Sequence, residues 1–354
     1  MNGHMASTLT TKIQQFSNPL VMQPMPGIGD MIWFLPHIRA IADHFSTTGT
    51  VSLLARPSTH ATKLLSEEKS IKNVISLYRS ELNRQGKERD PNHNDIYRHD
   101  GVMGIGRLAR DLASHHFDAA WILDRHAYYV MAAVLAGIPN RFGLGFGAEK
   151  IFLKHPSLPK KHHKTHARDR GTLLLETVGI DITPYEYPLS IAKTAVQKVE
   201  SNFQKTAPWA CLGVGASEQE KKWPIDCFAA LIKALCQKGI ECFICGGPDE
   251  AHEVQEIKNL VGQDYASQIH GITNWNVMET AALMTKSDFY IGNDTFLYNL
   301  AALQGKKAFS ISGVVPSHIY RKEMMTVRSL KGVQHVSPQE VLENLHQDTF
   351  LVSS

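Results

Sequence analysis

The sequence predicts an α/β protein made of two consecutive halves, each a parallel sheet flanked by helices. Short apolar runs alternate with helix-length segments along the whole chain, the pattern of βαβ units. At 354 residues the chain exceeds one ordinary core and suits two domains of about 150–200 residues. A Pro- and Tyr-rich stretch, ITPYEYPLS at 182–190, falls between two alternating sets and reads as the linker. The expected divisions are therefore 1–185, 186–335 and a C-terminal helix and tail at 336–354.

In the first half, strands are expected at 19–23, 50–56, 74–78, 119–124 and 141–144, where Val, Ile, Leu and aromatic residues cluster. Helices are expected at 32–45, 60–67, 105–115, 128–136 and 166–178. Two polar segments interrupt the alternation. Residues 79–101 are charged and rich in Asn and His, and read as an exposed loop. Residues 154–170 carry six Lys or Arg against one Asp. In the second half, strands are expected at 210–215, 241–246, 268–272, 288–291 and 307–311. Helices are expected at 194–204, 224–238, 250–261, 278–285 and 295–304. SPQEVLENLHQ adds a last helix, with a Ser cap, Pro at its first position and Glu at its third.

Composition excludes several classes. With 43% hydrophobic and 20% charged residues the chain reads as globular, and its longest apolar runs fall well short of the roughly 20 residues of a membrane span. The first residues contain no apolar core of signal-peptide length, so a cytoplasmic protein is expected. Five cysteines, an odd number, lie in strand- or helix-like segments. Cys242 and Cys245 have CxxC spacing but no second ligand pair, so buried free thiols in a reducing compartment are expected. A net charge of +3 does not call for nucleic acid but is comfortable with anionic substrates.

Four stretches could carry chemistry. In PMPGIGDMIWF a strand ends in a Gly27-x-Gly29 turn ahead of a helix. The third glycine of a dinucleotide site is missing and the second strand ends in Arg56, so NAD or FAD is not expected. What remains is Asp30 at the head of a helix, either a cap or a general base. LGVGASEQEKKWP places Ser217, Lys221 and Lys222 after a strand, where small residues admit a ligand and a Lys can meet phosphate. ICGGPDE opens a helix with Asp249 and Glu250, which the macrodipole favours without any function. KSDFYIGNDTFLYNLAAL is a strand, a tight turn and a helix whose first amides suit a phosphate. There Asp294 would cap the helix or accept hydroxyls.

Pro-x-Gly-x-Gly-Asp, GAS followed by KKWP, CGGPDE, HGIT at 270–273 and SDFYIGNDT followed by LAAL occur in one order, and RFGLGF adds to them. In this the chain resembles the ADP-heptose:lipopolysaccharide heptosyltransferases, glycosyltransferase family 9, over residues 18–316. The resemblance implies a GT-B fold: two Rossmann-like domains facing across a cleft, the first for the acceptor and the second for the nucleotide sugar. It implies an inverting, metal-independent transfer of heptose from ADP-heptose to a lipopolysaccharide core or similar glycan, with no cofactor. It makes Asp30 the catalytic base and Lys221 the residue that neutralises the departing diphosphate. Gly29, Ser217, Lys222, Glu250, Thr273, Asp294, Thr295, Phe296 and Asn299 would hold the donor. Lys160, Lys161, Lys164, Arg168 and Arg170 could meet an anionic acceptor, and a lipid-linked acceptor implies peripheral association with the inner membrane. Two positions depart from the family. Phe296 stands where a glycine lets backbone approach the diphosphate, and Asn299 stands where the family has His. A different nucleotide sugar, or a homologue that binds one without transfer, is the alternative they raise.

Overall fold

The computed structural model describes residues 14–79, 98–154, 157–216 and 218–347. Most of the expected loop at 79–101, part of the basic segment (155–156) and Ser217 lie outside the described residues. Packing divides the chain into two units, the first comprising 1–26, 34–57 and 69–185 and the second 27–33, 58–68 and 186–354. The segments Gly27–Trp33 and Ser58–Glu68 thus belong to the second unit although the first half of the sequence encodes them.

The first sheet contains β1 (Pro19–Gln23), β2 (Val51–Ala55), β3 (Ile71–Ser76), β4 (Ala119–Ile122) and β5 (Asn140–Gly143). Their order is β3-β2-β1-β4-β5, and all are parallel. Between them run α1 (Ile28–Phe45), α2 (Ala61–Leu64), α3 (Gly101–Ala113) and α4 (Ala127–Leu135), and α5 (Ala167–Glu176) follows. Every residue of β1, β2 and β4 is buried, as covering on both faces requires, so these strands are apolar runs without alternation. Trp121 of β4 stacks on Phe142 of β5 with ring centroids 4.3 Å apart. The order reverses between β1 and β4, so the chain leaves those two strands in opposite directions and opens a crevice at their carboxyl ends.

The second unit opens with α6 (Lys193–Asn202) and alternates β6 (Trp209–Gly213), α7 (Ile225–Cys236), β7 (Glu241–Cys245), α8 (Ala251–Val261) and β8 (Ile269–Ile272). It continues with α9 (Val277–Lys286), β9 (Phe289–Asn293), α10 (Phe296–Leu303), β10 (Lys307–Ser312), β11 (Met324–Arg328) and α11 (Pro338–Gln347). The sheet runs β11-β10-β9-β6-β7-β8, all parallel, with its reversal between β6 and β9. Phe228, Leu231, Ile232 and Leu235 of α7 pack on β6 and β7 in one apolar core. Cys236 and Cys242 belong to that core and Cys227 packs against it half-buried, while Cys211 and Cys245 are free and buried outside it.

Several features differ from the sequence reading: α3 starts at Gly101 rather than 105, β3 spans Ile71–Ser76 rather than 74–78, and three more have a local reason. Helix α1 begins at Ile28 rather than 32, because the Asp30 carboxylate accepts the Gly27 amide at 2.9 Å and turns the Gly-x-Gly segment into the first helical turn. The helix expected at 60–67 shrinks to α2. Edge strand β11 was not expected, since MMTVR is short and pairs only with β10.

Where the second sheet reverses, Gly213 and Gly292 face each other across β6 and β9. Gly292 has φ 152°, and a Cβ there would collide with the Gly213 backbone. Gly292→Ala is therefore expected to destabilise the protein by about 2–4 kcal/mol in urea unfolding, from added strain and overpacking. A loss below about 0.5 kcal/mol, the range of neutral surface changes, would mean the strands simply part.

Candidate functional site

The loops at the β6/β9 reversal are tied by one side chain the sequence reading did not single out. Asn293, fully buried, donates from Nδ2 to the Val214 carbonyl at 2.7 Å and to that of Gly215 at 3.3 Å. Its Oδ1 accepts the Trp223 amide at 2.9 Å. Tyr290 donates its hydroxyl to the Asn293 carbonyl at 2.6 Å, closing the turn from below. Trp223 is anchored again by its indole N–H, 2.8 Å from the Val336 carbonyl. The residues just before it, Lys221 and Lys222, are thus presented from a fixed base.

The two lysines differ. Lys222 is tied down, with Nζ 2.8 Å from Glu253 and 3.8 Å from Glu250. Lys221 is 38% exposed and lies 3.5 Å from Glu218, a longer contact than that of Lys222 to Glu253. Glu250 accepts the Gly247 amide at 2.8 Å, and a Cβ on Gly215 would lie 3.3 Å from its carboxylate. That carboxylate therefore sits against the glycine turns that follow β6 and β7. Thr273 follows β8 and is half-buried.

At the β9 turn, the cap of α10 is Thr295, whose hydroxyl accepts the Leu297 amide at 3.3 Å. Asp294 is not the cap. Burial pushes its carboxyl up from the usual range, against the opposing pull of Ser317, Lys221 and His318. Phe296 and Asn299, the two departures from the family pattern, meet the Asp30 segment. A Cβ on Gly29 would lie 3.3 Å from Asn299 Nδ2 and 3.5 Å from Phe296 Cα. Asn299 is nearly buried. Its Oδ1 accepts from Trp33 Nε1 at 2.6 Å and the Tyr320 hydroxyl at 3.0 Å, and its Nδ2 donates to the Thr295 carbonyl at 3.2 Å. Asp30, Lys221, Glu250, Asp294 and Thr295 all lie in the second unit.

A concavity of about 520 Å³ lies in the first unit at the β1/β4 reversal. Pro24–Pro26 follow β1, Arg56 follows β2, Arg79 follows β3 and Asp124–His126 follow β4, so the loops after four strands converge there. Tyr128, Tyr129 and Arg170 complete it. Arg56 donates to the Pro24 carbonyl at 2.6 Å and the Arg79 carbonyl at 3.3 Å. The Arg79 guanidinium lies 4.1 Å above the Tyr128 ring and donates to the Tyr129 hydroxyl at 3.1 Å. Burial raises the Tyr128 phenol to about 12, so it stays protonated and donates to the His99 carbonyl. Burial first, and then the charge of Arg125, lowers the pKa of Arg170. Of the five cations expected on the acceptor side, only Arg170 lines this cavity. Arg168 is buried at 6% exposure, while Lys160, Lys161 and Lys164 are exposed on a 3-10 turn. Arg56, Arg79 and Arg125 were not foreseen. Their only sequence signal is a cation just past an apolar strand.

Two outcomes are expected from the second unit. Asn293→Ala leaves the Val214 carbonyl and the Trp223 amide without their partner. It should lower stability by about 2–5 kcal/mol in urea unfolding, and an effect below about 1 kcal/mol would mean other groups replace the amide. For Asp294 the folded pKa is raised, so the folded state holds the proton more tightly. Its stabilising contribution is present at low pH and lost as pH climbs from the unfolded carboxylate value through the folded one. Asp294→Asn should remove that loss, so the variant gains on the wild type across this window in unfolding measured at a series of pH values. A difference that is constant with pH, or of opposite slope, would contradict the burial effect.

A search of curated proteins finds no match to the chain. Among solved structures, E. coli ADP-heptose LPS heptosyltransferase II is 16% identical with a TM-score of 0.69, covering 93% of this chain and 98% of its own. A family 9 glycosyltransferase from Veillonella parvula gives 17% identity and a TM-score of 0.75, with 97% and 99% covered. E. coli heptosyltransferase WaaC, solved with ADP-2-deoxy-2-fluoro heptose, gives 16% and 0.68, with 94% and 100% covered. These likenesses establish the fold, the paired parallel sheets of GT-B heptosyltransferase structures. The sequence profile of glycosyltransferase family 9 (heptosyltransferase) matches residues 105–321, more than half of the chain. The chain belongs to glycosyltransferase family 9 and is a glycosyltransferase.

Proposed function

We propose that the protein transfers heptose from ADP-heptose, with inversion and without a metal ion or other cofactor, to an anionic, lipid-linked glycan of the lipopolysaccharide type. Family membership supports the reaction class. The donor assignment draws on E. coli WaaC, which has been solved with ADP and with a fluorinated ADP-heptose. The observation that carries the reading is the second-unit arrangement itself, which gathers a helix-head carboxylate, an exposed lysine on a fixed base and a capped helix start at one sheet reversal.

In this reading Asp30 takes the proton from the acceptor hydroxyl as that oxygen attacks the anomeric carbon and the bond to diphosphate breaks on the opposite face. The Gly27 amide holds one Asp30 oxygen and orients the carboxylate. Lys221, rather than the engaged Lys222, neutralises the departing diphosphate, assisted by Ser217 and the amides at the head of α10. Glu250 receives the ribose hydroxyls beside the Gly215 turn, Thr273 closes that side, and Asp294 receives hydroxyls of the donor sugar. The first-unit cavity supports an anionic acceptor, because among the described residues Arg56, Arg79, Arg125 and Arg170 line it with Asp124 as the one carboxylate. The sequence contains no Asp-x-Asp motif that would hold a metal-bound diphosphate. Among the described residues no helix is long and apolar enough to cross a membrane. A place on the cytoplasmic side, at the inner membrane surface, fits the free cysteines and a lipid-linked acceptor.

Calorimetric titration with ADP, UDP, GDP and CDP in EDTA tests the donor. ADP is expected to bind in preference, and preference for another nucleotide would replace ADP-heptose as the donor. Asp30→Asn should lower transfer by about 10²–10⁴-fold with ADP affinity unchanged, and undiminished transfer would remove Asp30 from the mechanism.

A further inference from the structure

The first unit carries an apolar and cationic surface that the proposed chemistry does not use. Val102 and Met103, in the first turn of α3, are 84% and 75% exposed. Helical spacing places Met103, Arg107 and Arg110 along one side of α3, and Arg107 and Arg110 are exposed. The opposite side buries Gly104, Leu108, Ala109 and Leu112, so α3 is firmly seated while this side faces solvent. Arg98 joins the cluster, donating to both oxygens of Asp111 at 3.0 and 2.6 Å, while Arg107 donates to the Arg98 carbonyl at 3.3 Å. Three arginines thus surround one aspartate next to two exposed apolar side chains.

The same segment forms part of the acceptor cavity's outer wall. His99 accepts the Tyr128 hydroxyl, and Asp100 lies 3.6 Å from Arg79, so two cavity-lining residues are braced by the residues that lead into α3. A Cβ on Gly104 would collide with the His99 backbone, which fixes the start of α3 against that wall.

We propose that this face of α3 docks on an anionic lipid bilayer. Val102 and Met103 enter the headgroup boundary, and Arg107 and Arg110 meet lipid phosphates while Arg98 holds Asp111, a division of labour that suits interfacial helices. Charge complementarity selects this occupant: a protein partner could cover the apolar pair, but a cluster of arginines beside it matches a phosphate-rich plane. The inference rests on the lipid-linked acceptor reading, since docking here would bring the cavity to the membrane that holds the acceptor.

Vesicle sedimentation tests it without requiring transfer. The full chain should sediment with vesicles of phosphatidylethanolamine and phosphatidylglycerol but not with phosphatidylcholine alone, and less so as salt is raised. Val102→Ser with Met103→Ser should weaken sedimentation, and separately Arg107→Glu with Arg110→Glu should weaken it by about fivefold or more per arginine altered, both with unchanged melting temperature. Equal sedimentation of wild type and both variants, or none by the wild type, overturns the proposal. So does loss of a dimer in the variants without loss of vesicle binding. Vesicle binding that is lost in the variants supports this surface even if no sugar transfer is found, an outcome that would strike the functional reading alone.

Discussion

The second unit depends on one buried amide. Asn293 is beyond the reach of water, so its donor and acceptor must be satisfied by protein, and its partners are the backbone of two other loops. The requirement is mutual: without Asn293, the Val214 carbonyl and the Trp223 amide would be the unsatisfied groups. The bond forms where β6 and β9 pair, at a point where a Cβ on Gly292 would collide with the Gly213 backbone and one on Gly213 with the Tyr290 ring. The Asn293 amide thereby holds the segment that carries Lys221 to the end of β9.

The first unit solves a different problem, the crowding of cations. Guanidinium groups repel one another, and burial penalises each charge further, as the lowered pKa of Arg170 records. The unit holds them by geometry. Arg56 is fixed by two carbonyls, and Arg79 lies over one tyrosine ring and is bonded to the next tyrosine. Such side chains are already arranged before any anion arrives, which lowers the ordering cost of binding one. The same bracing passes outward through His99 and Asp100 to the head of α3.

Much of the fold was legible in the sequence because its central strands are buried on both faces. PLVMQ, VSLLA and AAWI are apolar runs of strand length bounded by turn residues, and ECFIC ends in a glycine turn. Edge strand β11 lacks that signature, since a strand with one neighbour and one covered face needs few apolar residues. The start of α1 was misjudged because glycines signal a turn, whereas a carboxylate bonded back to the Gly27 amide makes them helical. The candidate site was legible where a motif is local, as with Asp294-Thr295 or Lys221-Lys222-Trp223. It was not legible where the decisive partner is distant in sequence. Asn293 and Trp223 are 70 residues apart, and Arg56 and Arg79 are 23 apart. No periodicity in one sequence reports such pairings.

The two departures from the family pattern show how a changed residue can be absorbed. At a position where the family has His, Asn299 offers one carbonyl oxygen that takes bonds from both Trp33 and Tyr320, and an amide that returns to the Thr295 carbonyl. It therefore links the turn before α10 to the helix that carries Asp30. Phe296 replaces a glycine, yet its backbone lies against Gly29, so the space given up at one position is matched by a glycine at the other. The Asn299 side chain and the Phe296 backbone thus hold the Asp30 segment, while Lys221 and the Thr295 cap keep their own supports. A change of this kind alters what frames the Asp30 carboxylate without removing it, and it ties the Asp30 segment to the β9 turn through contacts made within one unit.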